Sequence, residues 1–230
     1  CEQEQIHRKY MQDKNAFHEG HEPKKRDYGE LVAREKKSTT KSVTADLIVL
    51  IFTGPKNYGR RDAIRETWGS VVPENVIKYF VIGTKDMQIE EKATLVYENQ
   101  VNYDLLLLPD LADSYFALTD KVLESFKWIT NNAAYKFILK VDDDTYTRLD
   151  IIYNDLKNNL PVERLYWGFF DGRARVKRSG QWAEKKWILC DRYTVHAKGG
   201  GYVLSKDLVE FIVSNEKYLQ KFNSEDVSVG

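Results

Sequence analysis

From Leu47 to Phe170 the sequence repeats one pattern: a short apolar run, then a longer stretch with helical spacing. Apolar runs with no alternating polar face are strands buried on both sides, and such strands belong to parallel sheets whose crossovers are helices. The spacing predicts strands over 47–53, 77–83, 104–107, 135–141 and 165–170, with helices over 60–68, 87–98, 114–130 and 148–156. The fold class is therefore α/β, a mostly parallel central sheet flanked by helices, and ligands of such sheets bind at the carboxyl ends of the strands. With 230 residues, 42% of them hydrophobic, the chain has apolar surface enough for one sizeable core. After Phe170 the regularity gives way to a basic, aromatic stretch over 171–198, then Gly199-Gly200-Gly201 and a helix from about Ser205. The glycine run suits either a close backbone approach to a ligand or a tight turn before that helix.

Residues 1–45 differ from the rest, with eighteen charged side chains and scattered apolar ones, and read as a solvated linker or loose helix ahead of a domain over 46–230. Thirty-five basic and thirty-five acidic residues cancel, which removes any whole-chain argument for nucleic-acid binding. The longest apolar run, 47–52, is far short of the roughly 20 residues that cross a bilayer. Cys1 and Cys190 are too distant in sequence for a metal knuckle or redox pair, and there is no Asn-x-Ser/Thr acceptor. A Gly-x-Gly-x-x-Gly motif and a Walker loop are both absent, so neither a classical dinucleotide fold nor a P-loop NTPase is supported.

Three clusters carry chemistry. The apolar strand Phe137-Ile138-Leu139-Lys140-Val141 runs into Asp142-Asp143-Asp144, a dense negative charge at the edge where such a sheet holds its ligand. Strand alternation puts Asp142 and Asp144 on one side and Asp143 on the other. Carboxylates without His or Cys nearby suit a hard cation that keeps waters and binds substrate phosphates; an Asp-rich turn capping the next helix is the bland alternative. A phosphatase of the haloacid-dehalogenase type is opposed by Tyr146, where that pattern wants Thr or Val. In the segment after the first strand, Arg61 and Arg65 stack on one helix face near its positive end, suited to a nucleotide diphosphate or to surface ion pairs with Asp62 and Glu66. Near the end, Glu225 and Asp226 form an acidic pair whose carboxylates diverge if the segment is extended.

In this order, Arg61-x-x-Ile64-Arg65-x-Thr67-Trp68-Gly69, Phe80-Val81-Ile82-Gly83, Asp113-Ser114-Tyr115-x-x-Leu118-Thr119-x-Lys121, Lys140-Val141-Asp142-Asp143-Asp144, Gly199-x-Gly201-Tyr202 and Glu225-Asp226-Val227 resemble the β-1,3-galactosyltransferase family, glycosyltransferase family 31. The resemblance runs from about Leu47 to Gly230. The stretches Leu165-Tyr166-Trp167-Gly168-Phe169-Phe170 and Leu189-Cys190-Asp191 are similar to members acting on the glycosaminoglycan linkage region. It implies a GT-A, Rossmann-like fold and inverting transfer of galactose from UDP-galactose to galactosyl-xylose on proteoglycan core proteins, with Mn²⁺ as the ion. By the same match Asp144 and Asp142 hold the metal, Asp226 is the catalytic base, and Arg61, Arg65, Lys121, Asp142 and Asp143 line the donor nucleotide. Trp167, Trp187, Gly200, Gly201 and Glu225 fall on the substrate side, Glu225 also standing as second candidate for the base. The resemblance further implies a Golgi type II membrane protein whose anchor precedes the sequence and whose stem is residues 1–45, and a carboxy-terminal continuation with another metal ligand and a partner for Cys190. A β-1,3-N-acetylhexosaminyltransferase and a glycan-binding pseudoenzyme are the alternatives within this resemblance. Eight Lys or Arg (173, 175, 177, 178, 185, 186, 192, 198) against three acids (171, 184, 191) make 171–198 a basic rim suited to steering an acidic acceptor peptide, with Trp182 and Trp187 suited to a sugar face.

Overall fold

A computed structural model describes residues 43–180 and 182–230. Nearly all of the charged stretch assigned to a stem lies outside these residues. In chain order the elements are β1 (Val43–Thr44), β2 (Leu47–Phe52), α1 (Tyr58–Glu66), β3 (Val76–Gly83), α2 (Ile89–Asn102), β4 (Leu105–Leu108), α3 (Leu118–Asn132), β5 (Ala133–Ala134), β6 (Phe137–Asp142), α4 (Leu149–Asn158), β7 (Tyr166–Phe170), β8 (Ala197–Ser205), α5 (Lys206–Ser214) and α6 (Glu225–Val229).

The chain divides into two compact units, one taking in Asp86–Leu105, the other Thr40–Lys85 with Leu106–Gly230. In the first, α2 opens with the Gln88 N–H donating to Glu91 Oε2 at 3.2 Å and stops where Tyr103 turns into the left-handed region at φ 54°. The second unit already includes β1, which pairs in parallel with β5; the folded chain therefore begins ahead of residue 46.

The six-stranded sheet has the order β4-β3-β2-β6-β8-β7. Strand β2 is parallel to β3 on one side and to β6 on the other, and all six of its residues are buried, as a strand covered on both faces requires. Helices α3 and α5 contribute Val122, Phe126, Ile129 and Val209 to a core shared with Ile48, Leu50, Ile138 and Leu204 of the strands.

Strand β8 is the main departure from the expected pattern. The glycine run is neither a turn nor a loop but extended chain, antiparallel to both β6 and β7. Some of the glycines here and in β7 are closely packed. A Cβ on Gly201 would meet Val141 Cγ1 at 3.3 Å, and one on Gly168 in β7 would meet Ala197 Cβ at 2.9 Å and the Gly201 carbonyl at 3.1 Å. Because β8 runs backward, its amino-terminal half lies beside the carboxyl end of β6, with Gly201 opposite Val141. Residues from the far end of the sequence are thereby delivered to the Asp triplet.

Candidate active site

The chain leaves β6 at Asp142 and turns at once, the Thr145 N–H closing on the Asp142 carbonyl at 3.1 Å. Within this turn the three carboxylates part ways. Asp143 points inward with its side chain 7% exposed, while Asp142 and Asp144 stay open at 41% and 68%. Pleat alternation predicts that split, but the turn produces it. Asp143 is held by the loop after β2: Thr53 Oγ1 and Asn57 Nδ2 donate to its Oδ2 at 2.7 and 2.8 Å, and Arg60 Nη1 to its Oδ1 at 2.6 Å. Burial pushes this carboxyl up, but the three bonds together outweigh it and hold it below the usual carboxylate range. Asp143 thus serves as a pin between two loops at the carboxyl edge of the sheet, with no oxygen turned to a donor nucleotide. Arg60 also lies 3.7 Å from Asp144 Oδ2.

The expected donor contacts sit deeper. Arg61 is 1% exposed and donates to the Gly54 and Pro55 carbonyls at 2.8 and 3.3 Å, shaping the loop from within. Arg65 lies over the Phe80 ring, 4.9 Å from its centroid. Lys121, 2% exposed, donates to the Thr53 carbonyl and to Asp113 Oδ2, both at 2.7 Å, while the Gly83 N–H donates to that same Asp113 oxygen at 3.0 Å. It ties the carboxyl ends of β2 and β3 together. Burial, the largest influence, pulls the Lys121 ammonium down and Asp113 opposes it. The arginine that reaches the triplet is Arg60, absent from the sequence-derived site.

Across the triplet, Thr145 Oγ1 donates to the Gly200 carbonyl at 2.9 Å, and the Gly199 N–H donates to Asp226 Oδ2 at 3.0 Å. Asp226 keeps 23% of its side chain exposed, with the Val227 N–H on its Oδ1 at 2.9 Å and His196 Nε2 3.9 Å from Oδ2. Glu225 does the opposite. The pair opens a helix instead of an extended segment, and Glu225 is 5% exposed, its Oε1 taken by Lys140 and its Oε2 by the Tyr202 hydroxyl at 3.0 Å. It therefore offers substrate no free oxygen, which removes it both as a substrate contact and as a base. Trp187 is likewise core: 5% exposed, it packs with Val176 and Val227 and against the Tyr193 and Phe222 rings at centroid distances of 5.2 and 5.1 Å. Trp182 is exposed, and Trp167 is half-buried opposite Val203. Gly200 is open to solvent beside Thr145. In the basic rim Arg178 is tied to the Glu184 and Trp187 carbonyls and Lys198 to Asp171. Cys190 is an exposed free thiol.

The carboxyl end of the sheet thus gathers two open carboxylates and, across strand β8, a third carboxylate on a short helix, charge of the kind that can hold a cation or take a proton. A family model described as Galactosyltransferase matches residues 59–230. The chain belongs to the galactosyltransferase family. Among its curated relatives, mouse β-1,3-galactosyltransferase 6 is 46% identical over 192 residues, 81% of this chain and 59% of that protein. Mouse β-1,3-galactosyltransferase 1 is 31% identical over 80% of this chain and 58% of that protein. Mouse UDP-GalNAc:β-1,3-N-acetylgalactosaminyltransferase 2 is 33% identical over 64% of this chain and 29% of that protein. The chain therefore spans less than two thirds of each of these galactosyltransferase-family relatives.

Among the described residues no three His, Cys, Asp or Glu side chains converge as a metal cage. The open oxygens of Asp142 and Asp144 instead fit a hard cation held by one or two carboxylates and completed by water and phosphate. In this galactosyltransferase-family site the sequence reading missed Lys140, whose signal is a lone Lys inside an apolar strand. It also missed Arg60, Thr53 and Asn57, whose only signal is their place just after β2, on the edge where β6 ends in acids.

Proposed function

We propose that this protein is an inverting β-1,3-galactosyltransferase that moves galactose from UDP-galactose to galactosyl-xylose on a proteoglycan core protein. The observation that carries the reading is the meeting of Asp226 with the Asp142–Asp144 turn through the reversed strand β8. A Mn²⁺ ion held by Asp144 and Asp142 would supply positive charge for the departing diphosphate. The protein's own work is then positional. Asp143 pins the turn so that its neighbours stay open, and Gly199 and Val227 N–H groups fix both oxygens of Asp226. From there the Asp226 carboxylate takes the proton of the acceptor hydroxyl as that oxygen attacks the anomeric carbon from the face opposite the diphosphate. The 46% identity to a protein named β-1,3-galactosyltransferase 6 supports galactose as the sugar.

A second reading, transfer of an N-acetylhexosamine, is favoured by the 33% identity to a protein named for UDP-GalNAc. The test offers UDP-galactose, UDP-GalNAc and UDP-GlcNAc with Mn²⁺ to the full-length protein, using galactosyl-β-1,4-xyloside and N-acetylglucosamine acceptors. Transfer from UDP-galactose alone to the galactosyl-xyloside, abolished by chelation, is the expected result. Preference for an N-acetylhexosamine donor selects the second reading, and UDP binding without transfer selects a glycan-binding pseudoenzyme. The proposal carries a Golgi location as a type II membrane protein, which co-localisation of the full-length protein with a Golgi marker tests; no helix among the described residues is long and apolar enough to cross a membrane.

A further inference from the structure

Lys140 sits in the middle of β6 with its side chain 2% exposed. An ammonium has three N–H groups, and here each has a different acceptor. They go to Asp142 Oδ1 at 2.8 Å, to the Gly199 carbonyl at 2.6 Å, and to Glu225 Oε1. The acceptors come from three elements: β6 itself, β8 and α6. Two of these acceptors are carboxylates, one on each side of the ammonium, so its buried charge is paired in place.

Gly199 is held at both ends. Its carbonyl accepts from Lys140 and its N–H donates to Asp226 Oδ2 at 3.0 Å. A side chain here would be tight, since a Cβ on Gly199 would lie 3.0 Å from Glu225 Oε1 and 3.5 Å from Asp226 Oδ2. The path from the open carboxylate Asp142 to the open carboxylate Asp226 therefore runs through one ammonium and one glycine. Glu225, with Tyr202 on its other oxygen, shares the ammonium with Asp142.

We propose that Lys140 is a positioning residue that couples the metal-side carboxylate Asp142 to the base Asp226, with Glu225 setting how much of its charge falls on Asp142. This rests on the metal and base assignments proposed above, and it makes a prediction that they do not. Glu225 has no oxygen to offer an ion, yet it controls the ion's affinity through Lys140.

The test uses the full-length protein with Glu225→Gln, Lys140→Met and the double variant. Mn²⁺ affinity is read by titration calorimetry without substrate, stability by thermal melting, and kcat and donor KM by transfer assay. Glu225→Gln leaves the whole ammonium to Asp142 and should weaken Mn²⁺ binding about tenfold. Lys140→Met alone strands two carboxylates, one of them buried, and should lower the melting temperature markedly. The double variant removes both buried charges, regains stability and returns Mn²⁺ affinity to the wild-type value or tighter. Its kcat stays at least about tenfold below wild type with donor KM within about threefold, the mark of lost alignment rather than lost binding.

Equal Mn²⁺ affinities in wild type, Glu225→Gln and the double variant would overturn the coupling, as would wild-type kcat in the double variant. A double variant no more stable than Lys140→Met also overturns it, because the tie is then not one of charge. If the wild type binds no Mn²⁺ at all, the metal assignment falls first and this inference with it.

Discussion

Replacing Asp143 with Asn separates a pin of the fold from a ligand contact. In the native protein Thr53 and Asn57 share one carboxylate oxygen at 2.7 and 2.8 Å, and Arg60 takes the other at 2.6 Å. The amide keeps one acceptor oxygen for Thr53 and Asn57 and turns an NH₂ toward Arg60, so donors face each other there. Two hydrogen bonds to a charged acceptor, about 1.5–3 kcal/mol each, become neutral bonds of about 0.5–1.5 kcal/mol. The expected loss is about 2 kcal/mol at neutral pH. Arg60, with 54% of its side chain exposed, is screened and adds nothing to that sum. With a urea slope of about 2 kcal/mol/M, the unfolding midpoint should fall by roughly 1 M. The pH dependence supplies a second check. The folded protein holds this carboxyl below its ordinary value of 3.8, so its stabilising contribution is complete above that value and is lost as pH falls through the folded pKa. The gap between wild type and variant should therefore close on acidification below about pH 4. A variant within about 0.5 kcal/mol of wild type at pH 7, or a gap unchanged between pH 7 and the acid limb, would refute the reasoning.

Three further outcomes follow from the same geometry. Asp226→Asn should lower kcat by about 10²–10⁴-fold while Mn²⁺-dependent UDP binding, read by calorimetry, stays nearly intact; Asp144→Ala should lose both. Wild-type-like turnover in Asp226→Asn would sink the base assignment. Trp187→Ala should cost about 3–5 kcal/mol in a denaturant titration, because the indole fills the cluster of Val176, Val227, Tyr193 and Phe222; an unchanged midpoint with altered acceptor KM would return it to the substrate side. Gly168→Ala should cost about 1–3 kcal/mol, since its Cβ would meet Ala197 Cβ at 2.9 Å and the Gly201 carbonyl at 3.1 Å, and an unaltered melting temperature would show that β7 and β8 can part without loss.

Some of this could be read locally. The apolar runs that became β2, β3 and β6 announce themselves because a strand covered on both faces admits few polar side chains. The Asp triplet stands out because it puts three carboxylates at the strand end where such a sheet binds its ligand. The match to a galactosyltransferase pattern likewise depends on short motifs whose internal spacing is local.

Other features were decided only when distant segments met. The glycine run carries no strand signal, since glycine is a poor strand former, yet it is strand because it pairs with β6 on one side and β7 on the other. Arg61 looks like a phosphate ligand by type and spacing and Lys121 by its place in the family match, but their partners are carbonyls of the β2–α1 loop and Asp113 beside β3, and burial commits them there. Glu225 and Asp226 are adjacent and chemically alike. Only the approach of Lys140, 85 residues earlier in the chain, places one in the core and leaves the other open. Periodicity records which faces of an element are apolar. It does not record which buried charge will find which partner, because that depends on how the elements cross, and in a low-dielectric interior the partner decides whether a charged side chain supports the fold or is left to act on a substrate.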